Sequence, residues 1–288
     1  MPFFSVIIPT YNRADLLPRC IDSILEQSFS DFEIIVVDNY SEDETKSLLE
    51  KYQQNDSRIF FIQEHNHGII AHSRNVGIRA SKGKYVCLLD SDDWFAADKL
   101  ATLYEHLAND QIDILYHRMQ EVDKNGFGGS YGKQLEWKNK YAELLIKGNL
   151  IYNSSVCVKR SVLLSVGGIS EDINLKTAED ADCWLRIAKS GYRFGFINKV
   201  LGYYWVGDNN SGSINTLQQR EYLYSIHINN LDESSRKKAL HTLNYIRGIR
   251  YYEAGLKRQA KKCYLESIPM YSVEKTAKAL FMVLKSLL

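Results

Sequence analysis

A chain of 288 residues, 45% hydrophobic and 25% charged, has globular composition and room for one large α/β domain plus an appendage. Its formal charge of +1 is uneven: residues 236–288 hold 12 Lys/Arg against 3 Asp/Glu and the remainder 24 against 32, so a basic tail follows an acidic body. No run reaches the roughly 18 apolar residues of a spanning helix, no basic leader with a cleavage site is read, and the five cysteines lack any Cys-x-x-Cys pairing, which predicts reduced, buried thiols in a cytosolic protein.

Phe3 to Pro9 has a β-branched strand pattern, broken by Pro9-Thr10-Tyr11-Asn12. Ala14 to Glu26 shows helical spacing, with Leu16, Leu17, Cys20, Ile21, Ile24 and Leu25 on one face. Phe32 to Val37 reads as a second strand ending in Asp38, and Asp43 or Ser41 can cap a helix over Glu44 to Gln54. Ile59 to Gln63 is a short strand, Gly68 opens a loop, and Ser73 to Ala80 suits a helix. Tyr85 to Leu89 is a fourth strand, with a helical pattern from near Trp94 that is clearest over Lys99 to Ala108, then a strand at Ile112 to Tyr116. Strand–helix alternation of this kind implies a mostly parallel sheet covered by helices on both faces.

Beyond it, Asp123 to Lys140 is rich in glycine and charge and reads as loop or irregular hairpin. Ile151 to Lys159 looks like a strand, Glu179 to Ser190 a helix and Tyr192 to Val206 an aromatic strand. Gly207 to Ser213 is a polar loop, a candidate lid, and after about residue 215 the pattern is helical. No Gly-x-Gly-x-x-Gly follows the first strand and no phosphate-loop motif occurs, so a standard dinucleotide or ATP site is not expected.

The chemistry concentrates at Asp90-Ser91-Asp92-Asp93, directly after the fourth strand. Clustered acids repel, and a cation or hydrogen-bond donors must offset that cost. An Asp-x-Asp pair offers oxygen ligands to a hard ion such as Mg2+ or Mn2+ shared with a phosphate, and strand carboxyl ends in open α/β sheets are where ligands bind. The alternative is helix capping, which Ser and Asp also favour.

Several separated stretches together resemble the family 2 glycosyltransferases: Ser5-Val6-Ile7-Ile8-Pro9-Thr10-Tyr11-Asn12-Arg13, Ile34-Ile35-Val36-Val37-Asp38, Ser73-Arg74-Asn75-Val76-Gly77-Ile78, Gly83-Lys84-Tyr85-Val86, Leu89-Asp90-Ser91-Asp92-Asp93-Trp94 and Glu179-Asp180-Ala181-Asp182-Cys183-Trp184-Leu185-Arg186. The resemblance covers roughly residues 3–215 and implies the GT-A fold, a nucleotide-sugar donor and an inverting transfer. By it, residues 1–215 form the catalytic domain (1–116 for the nucleotide, 117–215 for the acceptor), and 216–288 a basic helical extension.

It also implies roles. Tyr11, beside Pro9 and Asn12, would stack on the base and Asp38 accept from a uracil N–H; the alternative is a turn tyrosine and a capping Asp. Arg74 suits a diphosphate, or is a surface arginine; Asn75 joins it at the nucleotide, or is a local cap. Asp92 would bind Mn2+ or Mg2+, Asp90 the ribose or the ion, with Ser91 between them and Asp93 capping the next helix. Asp180 matches the general base, which an acceptor hydroxyl requires; the alternative is an acidic first helical turn, and Glu179 and Asp182 are rivals. Two departures stand out. The acidic pair that often follows the second strand is Asp38-Asn39 here, and the stretch Trp205 to Ser213 lacks a His found in some relatives. His65, His67 and His72 cluster near the nucleotide site and read as solvated.

The tail allows two readings. Tyr251 to Gly255 with Ala260, Tyr264 and Ile268 resembles one tetratricopeptide-like helix pair. Leu280, Val283, Leu284 and Leu287, widened by Phe281, Met282 and Leu288, would instead face anionic lipid, or pack on the body or a second subunit. The expected protein is an inverting, metal-dependent transferase. It would move a sugar from a nucleotide donor, a UDP-sugar, to a glycan or lipid-linked acceptor in bacterial surface polysaccharide synthesis. It would act in the cytoplasm, peripheral to the membrane, with no nucleic-acid partner. The rivals are a nucleotide-sugar-binding protein without catalysis and a nucleotidyltransferase; the glycine-free loop after the first strand disfavours the latter.

Overall fold

The computed structural model describes residues 1–148, 150–207, 214–270 and 272–286. In chain order the elements are β1 (Phe4–Thr10), α1 (Leu17–Leu25), β2 (Phe32–Asp38), α2 (Thr45–Asn55), β3 (Ile59–Gln63), α3 (Ile70–Ala80), β4 (Tyr85–Leu88), β5 (Trp94–Phe95), α4 (Lys99–Leu107), β6 (Ile114–Asp123) and β7 (Gly126–Tyr131). They continue with α5 (Lys140–Lys147), β8 (Val156–Lys159), α6 (Arg160–Ser165), α7 (Glu179–Lys189), β9 (Phe194–Trp205), α8 (Leu217–His227), α9 (Glu233–Glu253), α10 (Lys257–Glu266) and α11 (Val273–Lys285). The chain divides into two compact units, one of residues 1–135, 150–171 and 179–207, the other of 136–149, 172–178 and 208–288.

The first unit is built on one sheet of order β3-β2-β1-β4-β8-β6-β9-β5, with β7 paired to β6. The strands β3, β2, β1 and β4 are mutually parallel, as near-continuous apolar runs buried on both faces require. Phe4, Val6 and Ile8 pack in one cluster with Leu17, Cys20, Ile21 and Ile24 of α1 and Leu100, Leu103 and Leu107 of α4. Ile7 meets α3 at Gly77, where a Cβ would fall 2.4 Å from Ile7 Cγ2. The β1–β4 pairing ends at Ile7. Pro9, which has no N–H to donate, lies beyond it, where the two strand ends bound an opening.

Three expectations change. Trp94 and Phe95 do not start a helix; they form β5, antiparallel to Tyr203 and Gly202 of β9. Asp93 therefore caps no helix and accepts instead from Trp205 N at 3.0 Å. Ile151 to Lys159 is a strand only from Val156, after a short 3-10 turn at Asn153–Ser155. The glycine-rich stretch after Asp123 does form the irregular hairpin, one of its two readings, with β7 pairing with β6 across a register shift between Gln120 and Val122, and α5 begins at Lys140.

The second unit is helical. Buried Glu143 of α5 accepts from Glu136 N, Trp137 N and Lys147 Nζ at 2.8, 2.7 and 2.7 Å. Thr242 of α9 donates to Ile146 O at 2.6 Å. The helices α9, α10 and α11 enclose a cluster of Tyr245, Ala260, Tyr264, Met270 and Ala279. Gly255 at φ +75° turns α9 into α10. The helix pair expected at 251–268 is present.

Under the amino end of β4 lies a buried polar knot: Ser5 Oγ donates to Glu33 at 2.6 Å, and Gly83 N donates to Ser5 Oγ at 2.8 Å. A Cβ on Gly83 would sit 2.6 Å from Ser5 N and 2.7 Å from Phe4 C, both backbone atoms that cannot rotate away. Gly83→Ala is expected to lose about 1–3 kcal/mol of stability in urea unfolding, with an unchanged denaturant slope.

Candidate functional site

A cavity of about 650 Å³ opens at the carboxyl ends of β1 and β4. Pro9 to Arg13, Asn39, Asn66, Gly68, Ile70, Asp90 to Asp92 and Tyr204 line it. Its wall after β1 is held from the β2–α2 connection. Asn12, at φ +49°, receives Glu42 N on its Oδ1 at 2.8 Å, while its own N–H donates to Ser41 Oγ at 2.9 Å. Arg13 N donates to Thr45 Oγ1 at 3.0 Å. The tight turn leaves Tyr11 on the rim, 47% exposed.

Asp38 is fully buried behind this wall. Ser41 N and Oγ and Gln63 Nε2 all donate to its carboxylate. The next residue, Asn39, reaches the cavity in its stead, and its Oδ1 accepts from Asn66 N at 2.8 Å. The missing acid of the Asp38-Asn39 pair thus stands at a position where an amide oxygen holds the Asn66 backbone.

The three acids after β4 have separate environments. Asp90 Oδ1 accepts from Arg74 Nη2 at 2.8 Å and from Asn153 Nδ2 at 3.0 Å, and Asp90 N donates to Ser154 Oγ at 3.1 Å. Asp92 is half-buried, and burial together with Asp90 holds its carboxyl above the usual range. Asp93 is turned inward, and burial with Asp90 and Asp92 pushes it much higher. Below them Lys99 is fully buried; its Nζ donates to Ser154 O at 2.9 Å and lies 3.5 Å from the Phe95 ring centroid, and burial pulls it down to about 8.

Arg74 is 4% exposed and bridges Asp90 to Glu179 Oε1, the latter at 2.7 Å. Burial opposes its charge, but the two carboxylates outweigh that and raise its pKa. Asn75 is committed elsewhere: it donates to Ile169 O and Glu171 Oε1 at 2.7 and 2.8 Å and accepts from Ile169 N at 2.9 Å. Asp180 follows the anchored Glu179 in the first turn of α7, and its Oδ1 accepts from Ala181 N at 2.7 Å.

The sequence-predicted residues Pro9, Tyr11, Asn12, Asp90, Ser91 and Asp92 thus meet at one cavity. Asp38, Arg74 and Asn75 stand behind its walls, and Asp180 is outside its lining. Residues 208–213 of the expected lid lie outside the described residues. Sequence reasoning missed Asn66, Ile70 and Tyr204, and met Asn39 only as a departure. His65 stacks on Tyr40, ring centroids 3.9 Å apart, and is not part of the lining.

Among the described residues no three His, Cys, Asp or Glu side chains converge as a metal site. The two cavity acids fit a hard divalent ion that takes its remaining ligands from phosphate oxygen and water. They are oxygen donors only, the ligand type such an ion takes.

A mixed, mostly parallel α/β sheet with flanking helices and a helical C-terminal part is the GT-A fold of the solved transferases it superposes on. Residues 5–168 match the Glycosyl transferase family 2, and the chain belongs to that family of glycosyltransferases. An uncharacterised glycosyltransferase of Methanocaldococcus jannaschii is 31% identical over 228 residues, 77% of each chain. The poly(ribitol-phosphate) beta-N-acetylglucosaminyltransferase TarS of Staphylococcus aureus is 29% identical over 70% of this chain, a match spanning 35% of that protein's length. Its residues 1–349 in complex with UDP-GlcNAc superpose with a TM-score of 0.70 at 21% identity, covering 92% of this chain and 81% of that one. The mannosyltransferase PcManGT of Pyrobaculum calidifontis, in complex with GDP-Man and Mn2+, gives 0.64 at 21% identity over 100% and 81%.

Two outcomes follow from these contacts. Arg74→Met strands the buried Glu179 and part-buried Asp90 carboxylates and should cost about 3 kcal/mol or more in chemical denaturation, partly recovered by adding Glu179→Gln. His72 lies 2.9 Å from Glu171 and 3.5 Å from Glu64, and the Glu171 hydrogen bond raises its pKa above 6.5. A raised folded-state value gives stability that is complete below the unfolded value and lost as pH climbs through the folded one. Melting temperature should therefore fall from about pH 6 to about pH 8, and fall less in His72→Gln.

Proposed function

We propose that the chain transfers a sugar from a UDP-sugar to a hydroxyl of a glycan or lipid-linked acceptor, with inversion, in bacterial surface polysaccharide synthesis. One observation carries this reading: Asp90 and Asp92 share a cavity with Tyr11 at the carboxyl edge of the parallel strands. The UDP-GlcNAc complex of TarS, a transferase named for poly(ribitol-phosphate), and the GDP-Man and Mn2+ complex of PcManGT support it as analogies. The division of labour is 1–116 for the donor and 117–215 for the acceptor, with 216–288 as an extension.

Tyr11 stacks on the base, with Pro9, Asn12 and Ser91 shaping the pocket around the nucleoside. Asp38, Arg74 and Asn75 act from behind the wall: Asp38 fixes the Ser41 turn that holds Asn12, Arg74 sets Asp90, and Asn75 pins the Ile169 to Glu171 segment. Asp92 and Asp90 would hold Mn2+ or Mg2+, which when bound offsets negative charge on the departing diphosphate. Asp180 takes the acceptor hydroxyl proton as the new C–O bond forms and the sugar–diphosphate bond breaks. Attack opposite the leaving group inverts the anomeric carbon.

A peripheral membrane contact belongs to the same reading. Among the described residues no helix is long and apolar enough to cross a membrane. The helix α11 buries Ala279 and packs Met282 and Val283 inward, but presents Val273, Phe281 and Leu284 at 87, 61 and 63% exposure beside exposed Lys278 and Lys285. An apolar stripe flanked by lysines suits an anionic lipid surface.

UDP with Mn2+ should raise the melting temperature of the wild-type protein, and Asp92→Asn should remove the metal-dependent part of that rise. Asp180→Asn should keep the rise while slowing transfer about a hundredfold or more. Full activity in both variants overturns the two assignments. Flotation with phosphatidylglycerol vesicles, lost in Phe281→Ser/Leu284→Ser, checks the membrane contact.

A further inference from the structure

Two aromatic groups flank β9, and they differ in what they can receive. On one side Trp94 is stacked against Tyr203, centroids 5.2 Å apart, and covered by the Arg19 guanidinium at 3.8 Å. That group borders a separate cavity of about 310 Å³ that shares no lining residue with the first. On the other side Tyr204 lines the cavity, and its ring lies 5.7 Å from Tyr152, which lies 5.8 Å from Tyr131. The rings meet at 65°, edge to face, and at 48°, tilted, and not as one sealed stack.

Strand register assembles this row. Parallel pairing sets Glu121 of β6 beside Tyr204, and antiparallel pairing sets Tyr131 of β7 opposite Met119. Alternate residues share a sheet face, so Glu121, Tyr131 and Tyr204 stand on one side. Burial and a hydrogen bond to Glu121 raise the Tyr131 phenol. The strand β7 is exposed throughout, with glycine at 126, 128 and 129 and large side chains only at Phe127 and Tyr131. At Gly128 a Cβ would come within 3.3 Å of Glu121 Oε2, so glycine leaves that carboxylate its room.

We infer that Tyr204, Tyr152, Tyr131 and Glu121 form a track for an acceptor glycan of two or more sugar units, uncharged or amine-bearing. This rests on the donor reading above, because the acceptor must enter beside the sugar it receives. Aromatic rings pack on the C–H faces of pyranoses, while phenols and a carboxylate take ring hydroxyls. The row runs two ring contacts beyond the cavity, further than a single acceptor sugar beside Tyr204 would use. The Glu121 charge repels a polyuronate and attracts a hexosamine.

The test uses the full chain on a microarray of monosaccharides and bacterial-type oligosaccharides, some rich in uronic acid, in parallel with UDP–Mn2+ thermal shift. Wild type should retain uncharged or amine-bearing oligosaccharides over monosaccharides and polyuronates. Tyr131→Ala, at a position 40% exposed, should weaken that retention about tenfold, and Tyr131→Phe should keep most of it, both with the wild-type UDP–Mn2+ shift. No oligosaccharide retention by wild type, or equal retention by Tyr131→Ala, overturns the track while an intact UDP–Mn2+ shift leaves the donor reading standing. Retention lost on Tyr131→Ala, with no UDP–Mn2+ shift in wild type, supports the track and counts against the donor reading instead.

Discussion

The site depends on one buried guanidinium. Three carboxylates in four residues at the end of a strand cannot all face one opening without cost. The fold separates them. Arg74 takes Asp90, Trp205 N takes Asp93, and Asp92 is left toward the cavity. The same guanidinium binds Glu179, so the position of Asp90 is linked to the first turn of the helix that carries Asp180. A loss of Arg74 would free two acids at once, Asp90 after β4 and Glu179 at the start of α7. Arginine suits this post because its planar fork serves two carboxylates in fixed directions, which a lysine point charge does not.

A second layer keeps that arrangement rigid. Lys99 is buried where a charge is costly, yet it donates to the carbonyl of Ser154, whose hydroxyl accepts from Asp90 N. Asn153 in the same turn reaches the Asp90 carboxylate. One short turn, fixed from below by an ammonium, therefore holds both the backbone and the side chain of Asp90. Across the cavity the Asp38, Ser41 and Asn12 chain does the equivalent for the β1 wall, including a left-handed backbone at Asn12 that only surrounding contacts sustain.

Much of this was legible because it is local. The apolar strands, the alternation with helices and the run Asp90-Ser91-Asp92 are contiguous patterns, and they placed the sheet and the acids correctly. What stayed hidden depends on distance or register. Arg74 shows no acidic partner in its own stretch, because Glu179 lies 105 residues away. Asn75 sits in the same motif but spends its amide on Ile169 and Glu171, far along the chain. Trp94 begins a strand of two residues, too short to show a period, and the capping role of Asp93 fell with it. Tyr204 faces the cavity only because β9 pairs with β6 through register shifts at His117 to Met119, and a shift of one residue would have presented Tyr203 or Trp205.

The same register argument separates what the two faces of β9 can do. Tyr203 and Trp205 lie on the side where Arg19 closes over both tryptophan rings, at 3.8 Å from Trp94 and 5.0 Å from Trp205. The Arg19 guanidinium also donates to Asp92 O at 2.9 Å, so that face braces the acidic loop from outside. Tyr204 is left to the cavity, and its neighbours Tyr152 and Tyr131 extend that face outward to the exposed strand β7. One strand thus divides the rings beneath Arg19 from the cavity-facing Tyr204 by alternation alone.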